Sequence, residues 1–103
     1  MIDKTALSLH ETVAQIHDGA TVMIGGFGTA GQPAELIDAL IEHGAKGLAI
    51  VHNNAGNGDL GLAAFLKTGQ VEKMICSFPR PSDAYGIDAL YRAGKVALEL
   101  VPL

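Results

Sequence analysis

Ala6, Leu9, Val13 and Ile16 recur at steps of three and four residues, the spacing of one helix face, which predicts a helix over 5–16. Thr21-Val22-Met23-Ile24 is apolar and β-branched and lies between glycines, the pattern of a short buried strand. Pro33 suits the first position of a second helix, where its missing N–H costs nothing. Leu36, Ile37, Leu40 and Ile41 form the stripe of that helix, and Gly44 fits the left-handed residue past its end. Leu48-Ala49-Ile50-Val51 reads as a second buried strand. Asp59 can cap a short helix over about 60–68, and 71–78 reads as a third strand centred on Met74-Ile75-Cys76. Pro79-Arg80-Pro81 breaks that strand. Ser82 then caps a helix carrying Ala84, Ile87, Leu90 and Tyr91, Gly94 closes it, and 95–101 is a fourth strand.

Strands alternating with helices predict an α/β fold, a mainly parallel open sheet with helices on its faces. One domain accounts for residues 1–103. In such sheets ligands bind at the carboxyl ends of the strands. The polar loops 25–32 and 52–58 both follow strands directly, so both fall at that end.

Composition narrows the function. With 7 Lys and Arg against 11 Asp and Glu the net charge is −4, and no basic cluster offers a surface for nucleic acid. A hydrophobic fraction of 49% against 17% charged residues excludes a disordered chain. A single cysteine makes no internal disulfide. No stretch reaches the ~20 apolar residues of a membrane span, and Met1-Ile2-Asp3-Lys4 does not open a signal peptide. The expectation is a soluble cytoplasmic protein.

Three groups of residues carry candidate chemistry. Gly26-Phe27-Gly28-Thr29-Ala30-Gly31 matches G-x-G-x-x-G between a strand and a helix, the pattern that places a pyrophosphate on backbone N–H groups. A nucleotide-binding oxidoreductase module of Rossmann type is therefore one reading. It lacks the acid expected at the end of the second strand, which here runs Val51-His52-Asn53. Asn53 and Asn54 offer adjacent amide donors for a carboxylate or an oxyanion, and also suit a turn whose side chains bond their own backbone. Arg80, between two prolines, offers a guanidinium on a stiff loop for a carboxylate, against the plainer reading of a solvated arginine. Cys76 reads as core, and the four histidines have no metal-ligand spacing. His43 falls in a last helical turn, where it suits the dipole.

The stretch 18–33, Asp-Gly-x-x-Val-Met-Ile-Gly-Gly-Phe-x-x-x-Gly-x-Pro, resembles the signature of the A (α) subunit of family I CoA transferases. The resemblance continues through Glu35-Leu36-Ile37-Asp38-Ala39-Leu40, Asn53-Asn54-Ala55-Gly56, Gly61-Leu62 and Leu100-Val101-Pro102. Cys76-Ser77-Phe78-Pro79-Arg80 and Leu90-Tyr91-Arg92-Ala93-Gly94-Lys95 look most like the members that use succinyl-CoA and 3-oxoadipate. The resemblance implies a CoA thioester as substrate and no separate cofactor; the histidine spacing gives no metal site. It implies a ping-pong reaction through a covalent enzyme–CoA thioester on a glutamate. That glutamate belongs to the B (β) subunit, before an Asn-Gly, and none of Glu11, Glu35, Glu42, Glu72 or Glu99 has that context. The catalytic nucleophile is thus expected on a partner, in a hetero-oligomer, and this chain alone is expected to be inactive. Asn53 and Asn54, with Gly25, Gly26, Phe27, Gly28 and Gly31, are expected to line the substrate site, and Arg80 to bind a carboxylate. The family continues after Val-Pro with a glutamine used in the site, where this sequence has Leu103, so the chain is expected to be the N-terminal portion of a longer α subunit.

Overall fold

The four apolar runs pair in the order in which they leave the chain. In a computed structural model, which describes residues 8–26, 31–54, 61–77 and 85–102, the strands are β1 (Thr21–Met23), β2 (Leu48–Val51), β3 (Val71–Cys76) and β4 (Ala97–Leu100). They form one sheet of order β1-β2-β3-β4, every neighbouring pair parallel. Helices α1 (Leu9–Val13), α2 (Ala34–His43), α3 (Leu62–Lys67) and α4 (Tyr85–Arg92) alternate with the strands. This is the α/β class that the pattern predicts.

Strands added in one direction by right-handed crossovers bring every connecting helix to the same face. Accordingly α1 packs on α2, α2 on α3 and α3 on α4. The described helices form one layer on one face, where the pattern predicted helices on the sheet's faces. Leu48, Ile50, Met74 and Cys76 are buried beneath that layer with Ile37, Leu40, Leu62, Phe65 and Leu66. Val71 is buried too, although its spacing from Met74 breaks the alternation of a strand. Leu48 pairs with Val71 but Ala49 with Lys73, so Glu72 is an extra residue that resets the phase. On the opposite face Met23, Val51, Ile75 and Glu99 align in one row across the sheet, and Thr21, Ala49, Lys73 and Ala97 in another. Met23 is 80% exposed there.

Several boundaries differ from the expected ones. The first helix runs over Leu9–Val13 rather than 5–16, with 5–7 outside the described residues. Ser8 is its cap: extended at φ −158°, it accepts the Glu11 N–H on Oγ at 3.1 Å. Pro33 stands one place before α2 rather than in it, because its ψ of 74° is not helical. Gly44 closes α2 as expected, at φ 82°. Gly61, not Asp59, precedes α3, and Asp59 and Ser82 lie outside the described residues. β3 stops at Cys76, short of 78, because the Ser77 N–H turns to the Asn53 carbonyl at 3.3 Å. β4 spans Ala97–Leu100 rather than 95–101, the Lys95 N–H still being tied to the Leu90 carbonyl of α4 at 2.9 Å.

The far end of α2 is fastened by side chains. Buried Gln70 donates from its amide to the carbonyls of Leu40 (3.3 Å) and Ala45 (3.0 Å). The Leu40 carbonyl also accepts the Gly44 N–H at 3.3 Å, so Gln70 adds a second donor there and ties the turn after α2 through Ala45. His43 bonds from Nε2 to the Ile16 carbonyl at 2.8 Å, so it joins α2 to the turn after α1 as well as sitting in the last helical turn.

Candidate functional site

Because β1, β2 and β3 are parallel, the segments leaving them emerge side by side. The ladder runs on past the strands: the Ile24 N–H donates to Val51 O at 2.9 Å and the His52 N–H to Ile75 O at 3.1 Å. These bonds set Gly25 and Gly26, Asn53 and Asn54, and Ser77 along one edge. Gly26 (φ 113°) and Gly31 (φ 71°) hold conformations that favour glycine. A Cβ on Gly31 would lie 3.7 Å from Gly26 Cα, so the two ends of the glycine loop close on each other. Of the site residues expected from sequence, Gly25, Gly26, Gly31, Asn53 and Asn54 fall at this edge. Phe27, Gly28 and Arg80 lie outside the described residues.

The two asparagines form a chain of amides rather than two separate donors. Asn54, 3% exposed, donates from Nδ2 to Asn53 Oδ1 at 3.0 Å. Asn53 Nδ2 points to Ser77 Oγ at 3.4 Å, and the Ser77 hydroxyl lies at the same distance from the Asn53 carbonyl. Each amide has two N–H donors, and the Ser77 contact engages one of Asn53's. The chain orients the half-buried Asn53 amide, while Asn54 supports it from below.

Two residues that sequence reasoning missed tie this edge together. His52 is buried, in phase with Leu48 and Ile50, under the helix layer. Its Nδ1 lies 2.8 Å from the Ile24 carbonyl oxygen, which only accepts, so Nδ1 carries the proton. Its Nε2 is buried with no hydrogen-bond partner. Gln32, just after the glycine loop, accepts the Leu62 N–H on Oε1 at 3.2 Å. The phase of His52 with a buried strand was a usable signal. The Gln32 contact spans thirty residues and left none.

Burial beneath the helices pushes the Cys76 thiol above its ordinary pKa, which matches a core role. Among the described residues no three His, Cys, Asp or Glu side chains group as metal ligands. None of the described helices is long and apolar enough to cross a membrane.

Comparison with known proteins assigns the lineage. The family described as Coenzyme A transferase matches residues 6–103. The chain belongs to that family. Over 102 residues it is 71% identical to the A (α) subunit of the 3-oxoadipate CoA-transferase of Acinetobacter baylyi, a match that covers 99% of this chain and 45% of that protein. It is 61% identical to the protein of the same name from Pseudomonas putida, over 99% of this chain and 44% of the relative. A human mitochondrial succinyl-CoA:3-ketoacid coenzyme A transferase 2 is 44% identical over 92 residues, 89% of this chain and 17% of its own length. The chain thus spans less than half the length of these CoA-transferase relatives. At the strand-end position where the oxidoreductase alternative needs an acid stands His52, whose Nδ1 bonds to the Ile24 carbonyl.

Proposed function

We propose that this chain is the N-terminal part of the α subunit of a CoA transferase that moves CoA from succinyl-CoA to a 3-oxo acid, foremost 3-oxoadipate. The observation that carries this reading is the 71% identity to the α subunit of a 3-oxoadipate CoA-transferase, over a span that includes both site loops. The sheet edge supports it, with oriented amides beside a glycine loop where a ligand can meet backbone.

The chemistry divides into balanced steps. A glutamate carboxylate on the partner β chain attacks the succinyl-CoA carbonyl and expels the CoA thiolate, leaving a mixed anhydride. The thiolate attacks the glutamyl carbonyl, succinate leaves, and a glutamyl–CoA thioester remains. The acceptor carboxylate attacks that thioester, again expelling the thiolate. The thiolate then attacks the acceptor's carbonyl, giving the new acyl-CoA and restoring the glutamate. Two covalent stages replace one difficult exchange, and each addition builds negative charge on a carbonyl oxygen that preorganised donors stabilise. The role of this chain is to present those donors: the Asn53 amide, supported by Asn54, and the backbone along Gly25–Gly31. Arg80 takes the distant carboxylate of the dicarboxylic acid. CoA is a substrate here, and no resident cofactor is required.

The test is a full-length α chain containing these residues, co-expressed with its β partner and incubated with succinyl-CoA. Borohydride reduction of the thioester should mark a glutamate of the β chain. A mark on Glu11, Glu35, Glu42, Glu72 or Glu99 of this chain, or no CoA transfer to 3-oxoadipate, would overturn the reading. Arg80→Ala should raise KM for dicarboxylic acceptors and spare monocarboxylic ones, and equal effects on both would remove Arg80 from the site.

A further inference from the structure

The loop after β1 and the loop after β2 are bonded to each other at both ends. At their start, His52 donates from Nδ1 to the Ile24 carbonyl at 2.8 Å. At their finish, the Leu62 N–H donates to Gln32 Oε1 at 3.2 Å. The second bond answers a local need. α3 begins after Gly61, which has no side chain to cap its first amides. Gln32 supplies the oxygen from the other loop. The fit is close: Gly61 holds φ 59° and ψ −127°, and a Cβ there would run into Gln32 Oε1. Glycine at 61 is thus favoured by its backbone conformation, and a side chain there would have to push the Gln32 amide off the Leu62 N–H.

We infer that Gln32 is a positioning residue for the CoA-transfer site, the latch that fixes the Asn53–Asn54 loop against the glycine loop. His52 holds the same pair of loops at their base. The inference rests on the proposed function for the reaction it serves, but the contact itself does not. A displacement near 1 Å between groups that act on one reacting carbonyl is enough to lower turnover by about 100-fold. Cutting the latch leaves the amides present and removes one of the two bonds that join the two loops.

The experiment uses the full-length α chain in complex with its β partner and reads kcat, KM and melting temperature together. Gln32→Ala should lower kcat by about 10- to 100-fold and leave KM for succinyl-CoA within about threefold. Gln32→Glu keeps an acceptor oxygen at the α3 N-terminus and should restore kcat to within about threefold of wild type. Gly61→Ala should reproduce the kcat loss, and in the Gln32→Ala background it should add less than it does alone, because the side chain it strikes is gone. If Gln32→Ala lowers the melting temperature while kcat stays at wild type, the contact is a helix cap and no more, and if Gln32→Glu is as slow as Gln32→Ala, the acceptor oxygen does not hold the site and the latch is overturned. A wild-type complex without CoA transfer would sink the proposed function instead, so the two failures are distinguishable.

Discussion

Asn54 donates to the side-chain oxygen of Asn53 at 3.0 Å, and this makes the two neighbours unequal. Asn54 is 3% exposed, whereas Asn53 is half-buried and touches Ser77. In the complete enzyme, replacing either by Ala should lower turnover by about 10- to 1,000-fold, the range for losing one oxyanion-type donor. The melting temperature should separate them: Asn53→Ala leaves it nearly unchanged, and Asn54→Ala lowers it by opening a buried polar site. Steady-state kinetics with a thermal melt on each variant checks this. Unchanged turnover for both would make the pair a turn and nothing further.

Gln70 should matter to stability and not to chemistry. Gln70→Leu keeps a buried side chain and strips donors from the Leu40 and Ala45 carbonyls. An unsatisfied buried acceptor costs about 1–3 kcal/mol. For ~100 residues each kcal/mol lowers the melting temperature by about 4–8 °C. A thermal melt of residues 1–103 should show such a loss, because Leu40 keeps the Gly44 N–H but Ala45 loses the Gln70 donor, and an unchanged midpoint would mean that water satisfies the Ala45 carbonyl.

Cys76 gives a pH dependence whose sign is fixed. Burial raises its pKa, so the folded protein holds the thiol proton more tightly than the unfolded chain does. That contribution is intact below the ordinary thiol pKa of about 8.5 and is lost as pH climbs from there through the folded value. Denaturant midpoints should fall across this alkaline range, and Cys76→Ala should flatten that part of the profile. The thiol should also resist alkylation until the protein unfolds. Rapid alkylation of the folded chain at neutral pH would contradict the burial.

The sheet face that none of the described helices covers predicts association of this chain on its own. Met23, Val51 and Ile75 form an apolar row on that face, with the exposed Lys73–Glu99 pair at 2.8 Å beside it. β1 and β4 are also sheet edges with no neighbour among the described residues, and such edges invite pairing. Sedimentation of residues 1–103 should show oligomers that weaken on dilution, and Met23→Lys should shift them toward monomer. A monomer at all concentrations would show that the face is stable in water.

The parts of this fold that were legible in the sequence are those set by local pattern. Leu48–Val51 reads as a buried strand because it is short, apolar and bounded by turn residues. Gly44 reads as a helix end because only a left-handed residue fits there. That Gly25, Gly26, Asn53 and Asn54 come together at one end of the sheet was legible because each pair follows a strand directly. What stayed hidden was set by distance or by competing local bonds. Pro33 fits a first helical position but is held at a non-helical ψ just after the glycine loop. Ser8-Leu9-His10-Glu11 carries a readable capping pattern, masked by the longer apolar spacing that begins at Ala6. The bonds from Gln32 to Leu62 and from His52 to Ile24 join residues thirty and twenty-eight positions apart, and a single sequence does not show which side chains meet across a sheet.

The central claim is that the sheet edge bearing Asn53 and Asn54 receives the reacting ligand. It is tested most directly by following the side-chain amide NMR signals of these two residues in the full-length α–β complex, selectively labelled, as CoA and then succinate are added. The account predicts that both amide signals shift and saturate with ligand, Asn53 more than Asn54, and that NAD moves neither. Saturable CoA binding that leaves both amides unmoved would place the site elsewhere and contradict the account.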